Sequence, residues 1–525
     1  MAEWGPRCAK LAGVGGLEPQ SGGAEHGREI SAVARLTPNR RAIASEHGDL
    51  TFAELDRDAE RLAGYLQNAG LAAGDVVALL CTNRPEWIVT QQAALRSGLR
   101  LVPVNWHLKG DDISYVIADS GARALITEST LVGELGDETR AVKTRIVIGD
   151  DAEGFTSFAE AASEPWPTDP LRPRGSLMVY TSGSTGRPKG VRQADGSASS
   201  GAAIGAAMVA MFGLDGDRGD QMLCPAPLYH SGPSRICSEW PLGAGVTVHL
   251  MARFDPEAAL ELIDTQRLTH AFFVPTMFHR MLGVADRARY DVSSLRFVLH
   301  GAGPCSAVIK TQMFDWFGPV IHEMYAATEG PGTWIQPQEW LDHPGSVGRT
   351  DPTRLQIRLD DGEIAEPLHH GTVWSRATTP FHYHDDPDKT AATFDASGEW
   401  YTVGDRGYID GDGYLYLTGR TAECIVSGGV NLYPARVDEA LVGHRGVLDG
   451  AAFALADVEF GQVMAAAIIP ADKTPSDDLI ESVVSHCRET IGSQLTPRQV
   501  FIVDELPRTE AGKLYRHRLT EQFSP

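Results

Sequence analysis

Up to residue 350 the chain alternates two apolar patterns: short continuous runs, and stretches with one apolar residue every three or four positions. Runs that short read as strands buried on both faces, and the wider spacing reads as amphipathic helix. Thr51 and Glu54 make a capping box. Phe52, Leu55, Leu62 and Leu66 then share one helical face, and Gly70 closes it. Residues 76–81 (VVALLC) predict a strand, Pro85 opens a helix through Arg96, and Gly98 ends it. Strands follow at 101–104, 124–127, 146–148 and 176–180, the last preceded by a Pro- and acid-rich surface connection at 155–174. A second series has helices at 201–212 and 256–266 and strands at 222–226, 246–250, 271–274, 297–299 and 320–324. Regular strand–helix alternation predicts parallel sheets covered on both faces.

Past residue 350 the segments shorten and Asp-Gly turns occur at 361–362 and 412–413, which predicts antiparallel β structure. After Arg420 the pattern becomes compact α+β, with helices near 434–442 and 477–491 and strands near 451–456, 463–469 and 500–503. The expected organisation is a mobile tail at 1–27, a large α/β domain at 28–420 and a small α+β domain at 421–525. The large domain combines doubly covered, mostly parallel sheets with a small β-barrel-like subdomain.

Composition narrows the class. The formal net charge of −23 argues against nucleic acid, whose phosphates need Lys and Arg. Seven scattered cysteines without a C-x-x-C pair indicate neither zinc nor a disulfide framework, and a reducing cytoplasm is the expected setting. No apolar run is long enough to span a bilayer, and the first thirty residues have no secretory apolar core.

The candidate chemistry centres on residues 180–191, YTSGSTGRPKGV. Three glycines let backbone N–H groups approach an anion, five hydroxyls can donate to it, and Lys189 adds a point charge. A buried strand leads into this loop, which is where nucleotides sit in α/β sheets. The P-loop pattern G-x-x-x-x-G-K-[ST] fails here, because the Lys follows a Pro. The bland alternative is a flexible Ser/Gly linker.

Further motifs follow in order: Pro227-Leu-Tyr-His230, Tyr325-Ala-Ala-Thr-Glu-Gly330, Tyr401-Thr-Val-Gly-Asp405, Tyr416-Leu-Thr-Gly-Arg420, Val426-Ser-Gly-Gly-Val-Asn431 and Leu506-Pro-Arg-Thr-Glu-Ala-Gly-Lys513. With the loop, this series resembles the adenylate-forming superfamily, in its acyl-CoA synthetase branch, over residues 28–520. The resemblance implies two half-reactions. A carboxylic acid attacks the α-phosphate of ATP·Mg²⁺, giving an acyl-adenylate and pyrophosphate. The C-terminal domain then rotates and the thiol of CoA displaces AMP.

The resemblance also implies roles. Thr181, Ser182, Gly183, Ser184, Thr185, Gly186 and Lys189 would grip the phosphates, with Thr185 and Glu329 as Mg²⁺ ligands. Gly301, Ala302, Gly303, Tyr325 and Ala326 would surround the adenine, and Thr328 would touch the α-phosphate. Asp405 and Arg420 would hold the ribose, and Lys513 would bridge carboxylate and α-phosphate. Tyr229, His230, Phe273, Val274, Met277, His300, Ala302 and Ala327 would face the acid, and Gly428 and Gly429 the thiol's path. His230, Glu329, Thr185 and Lys513 form the expected catalytic set. Ala422 stands where the family has Asp or Lys as its hinge, which bears on thioester formation more than on adenylation.

By themselves His230 reads as a core histidine, Glu329 and Asp405 as surface carboxylates, and Lys513 as an exposed lysine in a Gly-Lys turn. His382, His384, Asp385 and Asp386 invite a metal reading, but the resemblance makes them a surface loop; His369 and His370 read as solvent-facing. The acid-facing stretches near 228–235, 273–277, 300–303 and 325–332 are mainly apolar and, Arg235 apart, lack Lys or Arg, which points to a neutral acid, a fatty acid first and an aryl acid second. Transfer to a separate carrier protein, a peripheral membrane contact and a homodimer stay open.

Overall fold

The computed structural model describes residues 27–181, 187–193, 198–472, 476–509, 512 and 514–524. The chain forms two compact units, Met1–Phe272 with Tyr290–Phe297 and Thr379–Pro387, and Phe273–Arg289 with Val298–Thr378 and Asp388–Pro525.

The first unit contains a six-stranded, all-parallel sheet ordered Thr156–Ser157, Thr144–Ile148, Ala124–Glu128, Val76–Leu80, Arg100–Val104, Ser176–Leu177. Its three central strands are buried at every position, their apolar runs flanked by buried Arg100, Thr127 and Glu128. Helix Phe52–Asn68 starts at Thr51, whose side chain accepts from Glu54 N while Glu54 accepts from Thr51 N. A second sheet sets Gln221–Cys224, Thr247–Leu250 and Arg41–Ser45 parallel, with Leu50–Thr51 antiparallel at its edge.

The stretch expected as one strand at 176–180 divides. Ser176–Leu177 ends the parallel sheet, while Val179–Thr181 pairs antiparallel with Lys189–Gln193. Met178 N still bonds Leu101 O at the switch. Strand Phe381–Tyr383 pairs with the far side of Lys189–Gln193. That pairing joins residues almost two hundred positions apart, which no local pattern announces.

In the second unit, Val298–Gly301 runs parallel to Ile321–Met324. The latter strand extends to Ala327, past the expected end at 324, because Gly330–Ile335 folds back on it and continues the ladder through Tyr325, Ala326 and Ala327. An antiparallel sheet follows in the order Gly348–Arg349, Tyr414–Arg420, Asp405–Ile409, Gly371–Arg376, Leu355–Arg358. Residues 425 onward build a further sheet around the hairpin Val447–Asp457 and Gly461–Pro470. Successive side chains alternate faces. Ala452, Met464, Ala466 and Ile468 pack with Leu441 and Val483 from helices Pro434–Gly443 and Leu479–Ile491. Phe453, Leu455, Val463 and Ala465 pack on Leu519 of helix Arg516–Phe523. No described helix is long and apolar enough to cross a membrane.

Arg516 pins that last helix. Its guanidinium donates to both Asp438 oxygens (3.0 and 2.5 Å), to Ala452 O (2.6 Å) and to Glu423 (3.1 Å). Arg516→Ala leaves Asp438 half-buried without its cation, which should cost on the order of 2–4 kcal/mol. Hydrogen exchange of strand Val447–Asp457 should show that loss as faster opening.

His249 and His270 are buried, and burial pushes each pKa down to about 4. A depressed histidine pKa favours the fold where the ring is neutral in both states, and the unfolded chain takes up protons first as pH falls. Unfolding free energy should therefore decline as pH drops from about 6.5 toward about 4, and His270→Gln should flatten part of that slope in denaturant titrations.

Candidate active site

Strand pairing places the residues of the second unit that the resemblance assigns to the ribose. Asp405 and Arg420 are direct antiparallel partners, and Arg420 Nε lies 2.8 Å from Asp405 Oδ1. The Tyr325 hydroxyl donates to Asp405 Oδ2 at 2.8 Å. Both carboxylate oxygens are thus engaged while each keeps a further lone pair. Burial first, and the Asp405 charge second, push the Tyr325 phenol well above its ordinary pKa, so it stays a donor.

Glu329 follows two residues after the strand that carries Tyr325 and is 8 % exposed. The Tyr401 hydroxyl is pushed up to about 12 by burial and then by the Glu329 charge. Tyr401 received no role in the sequence reading, although it heads the motif that ends in Asp405. Gly301 leaves no room for a side chain, because a Cβ there would lie 2.7 Å from Met324 O. Ala302 takes a left-handed φ of 69° and, like Gly303, is exposed. A strained, accessible turn at a strand's C-terminal end is a recurrent feature of ligand sites.

Of the residues assigned to the acid, Phe273, Val274, Met277 and His300 are buried. Phe278 links two of them, its ring 5.6 Å from Phe273 and 5.3 Å from His300. Burial, and next the Lys310 charge, hold His300 neutral; Lys310 itself pairs with Glu323 at 2.5 Å. Ala326 is exposed, and Ala327 and Thr328 are half-buried. The hinge candidate Ala422 sits exposed in the turn Thr421–Glu423, and Gly428 and Gly429 both have positive φ at a hairpin tip.

In the first unit, Thr181 and Lys189 are cross-strand partners at the base of the Gly-rich loop. Lys189 Nζ lies 2.9 Å from Asp386, whose hydrogen bond holds the ammonium pKa above its usual value. Tyr180 donates to Asp119 at 2.7 Å, and His384 Nε2 contacts Asp119 O at 2.9 Å. The 382–386 stretch thus braces the loop base. The described side chains that do gather three metal-capable atoms are His343, Asp410 and Asp412. Tyr229 is buried, its ring 4.4 Å from His230 and 6.3 Å from His107, whose ring lies tilted 3.5 Å from that of Trp106. Ser182, Gly183, Ser184, Thr185, Gly186 and Lys513 lie outside the described residues.

The AMP-binding enzyme family matches residues 30–381, and the AMP-binding enzyme C-terminal domain matches 436–513. The chain is 30% identical over 496 residues to an indoleacetate–CoA ligase of Aromatoleum aromaticum, covering 92% of this chain and 95% of that one. It is 30% identical over 501 residues to the long-chain-fatty-acid–CoA ligase FadD13 of Mycobacterium tuberculosis, covering 94% and 97%. Among solved structures it is similar to o-succinylbenzoate CoA synthetase of Bacillus subtilis bound to its acyl-adenylate. That match has a TM-score of 0.78 and 26% identity, covering 94% of this chain and 97% of the other. The same enzyme has been solved with ATP and magnesium, at TM-score 0.77. This chain belongs to the AMP-binding enzyme family, in the acyl-CoA synthetase branch of the adenylate-forming superfamily, and is an AMP-forming acid–CoA ligase.

Proposed function

We propose that the chain activates an apolar monocarboxylic acid with ATP and Mg²⁺ and passes the acyl group to the thiol of CoA. The observation that carries this reading is Asp405 held between Tyr325 and Arg420, 2.8 Å from each. A carboxylate so fixed, with lone pairs to spare, suits two vicinal hydroxyls of a ribose. In the first half-reaction a carboxylate oxygen of the acid bonds to the α-phosphorus as the bond to the β-phosphate oxygen breaks. In the second, sulfur bonds to the acyl carbon and AMP leaves.

Two anions must meet in the first step, so positive charge and fixed donors are the main catalytic need. Lys189, Thr181 and the loop through Gly186 would bind the β- and γ-phosphates, displacing Asp386 as the partner of Lys189. Thr328 would contact the α-phosphate, and Lys513 would span it and the acid. Glu329, with Thr185, would hold Mg²⁺, whose charge would neutralise phosphate oxygens. His230 and Tyr229 would border the acid's carboxylate. Rotation of a C-terminal domain bounded at 420–421 would exchange Lys513 for Gly428 and Gly429, with Ala422 absorbing the backbone change.

Residue polarity supports a fatty acid, matching FadD13 among the relatives. A second reading, an aryl acid, is favoured by the run of rings Trp106, His107, Tyr229 and His230, since flat rings stack on aromatic walls. A panel of fatty acids against benzoates, arylacetates and cinnamates, compared by kcat/KM, should leave one class ahead by about tenfold or more, since about 1.4 kcal/mol of transition-state binding suffices. Lys513→Ala should lower acid-dependent pyrophosphate exchange by about 100-fold or more, the scale of losing one transition-state charge contact. Exchange unchanged in that variant would remove the adenylation mechanism.

A further inference from the structure

The turn that carries the last motif is clamped from inside its own lobe. Arg508 makes a bidentate pair with Asp449, at 2.8 and 2.9 Å, and its Nη1 also donates to Gly512 O at 3.2 Å. Around that side chain the backbone doubles back. Gly512 N bonds Thr509 O (2.8 Å), Tyr515 N bonds Pro507 O (2.9 Å), and Arg508 bridges Leu514. A bidentate guanidinium fixes direction as well as distance.

The clamped turn sits on helix Pro275–Leu282. Gly512 takes φ 77°, and a Cβ there would lie 2.6 Å from Thr276 Oγ1. Only a bare Cα with access to that conformation seats so closely. One helical turn on, His279 feels the charges of both Asp449 and Arg508. The same helix begins beside Val274 and includes Met277, both assigned above to the acid. The Arg508–Asp449 pair is thus a polar connection between the hairpin strand Val447–Asp457 and the seat of the turn, beside the apolar packing of Leu506 and Leu514 on that strand.

We propose that Arg508, held by Asp449, is a positioning residue for the adenylation half-reaction, keeping the turn that ends in Gly512 seated on Thr276. This rests on the ligase reading above. Lys513 follows Gly512 in the chain, so loss of the clamp frees the turn in the half-reaction that needs the lysine. The thioester half-reaction, assigned to the Gly428–Gly429 hairpin, does not use that seat.

The test measures both half-reactions of the full-length enzyme with the best acid from the panel. Acid-dependent ATP–pyrophosphate exchange reads adenylation, and acyl-CoA formation from synthetic acyl-AMP and CoA reads transfer. Arg508→Ala should slow exchange by about 10- to 100-fold, the scale of a misplaced catalytic group, and leave transfer within about twofold. Asp449→Asn, which keeps side-chain volume, should show the same split and decides the matter if Arg508→Ala does not fold. The charge-reversed pair Arg508→Asp with Asp449→Arg should recover part of the exchange lost in Arg508→Asp. Equal loss in both half-reactions, or no loss in exchange, overturns the proposal. Wild-type exchange with any acid tests the ligase reading separately.

Discussion

A carboxylate shared by two donors ties three strands of the second unit together. Asp405 accepts from Tyr325 and pairs with Arg420, and it lies 6 % exposed, where a lone charge would be expensive to bury. Two donors offset that cost and set the geometry. The Arg420 contact follows from strand pairing, because the two residues are opposite each other in Asp405–Ile409 and Tyr414–Arg420. The Tyr325 contact spans eighty positions and depends on the ladder that extends Ile321–Ala327 beyond its apolar run. In the proposed function, ribose hydroxyls would meet a carboxylate already oriented, which would reduce the ordering that binding must impose.

The base of the Gly-rich loop is braced in a comparable way. Its two arms pair with each other, and the outer arm pairs with Phe381–Tyr383. His384 and Tyr180 both converge on Asp119, and Asp386 occupies Lys189. A lysine with a resident anion is held in place, and in the proposed function a phosphate would have to outcompete that anion. The cluster of His and Asp at 382–386 looks like a metal site in one dimension because its alternating residues cannot be seen to pair with a strand far earlier in the chain.

Much of the architecture was legible. Continuous apolar runs marked the central parallel strands at 76–81, 101–104 and 124–127, which are buried on both faces, while the parallel strands Arg41–Ser45 and Thr156–Ser157 were not expected. The capping box at Thr51 and the Asp-Pro start at Asp255 placed helix ends, because both signals are local hydrogen-bond chemistry. The misses share a cause. The split at Met178, the extension through Ala327 and the placing of buried Tyr401 near Glu329 all depend on a strand or side chain distant in sequence. Periodicity reports what one segment wants to bury and is silent on which neighbour buries it.

The sequence by itself determined the family, the ordered motifs and the chemical types available: hydroxyls and a lysine in a Gly-rich loop, Glu329, Asp405 and a turn ending in Gly512. Those depend on residue identity and spacing, which the chain carries in one dimension. Tertiary structure alone decided which groups hold them: Tyr325 and Arg420 on Asp405, Asp386 on Lys189, Asp449 through Arg508 on Gly512, and Thr276 beneath it. Hydrogen bonds and ion pairs act over about 3 Å, so their partners are fixed by chain packing and register, whatever their separation in sequence.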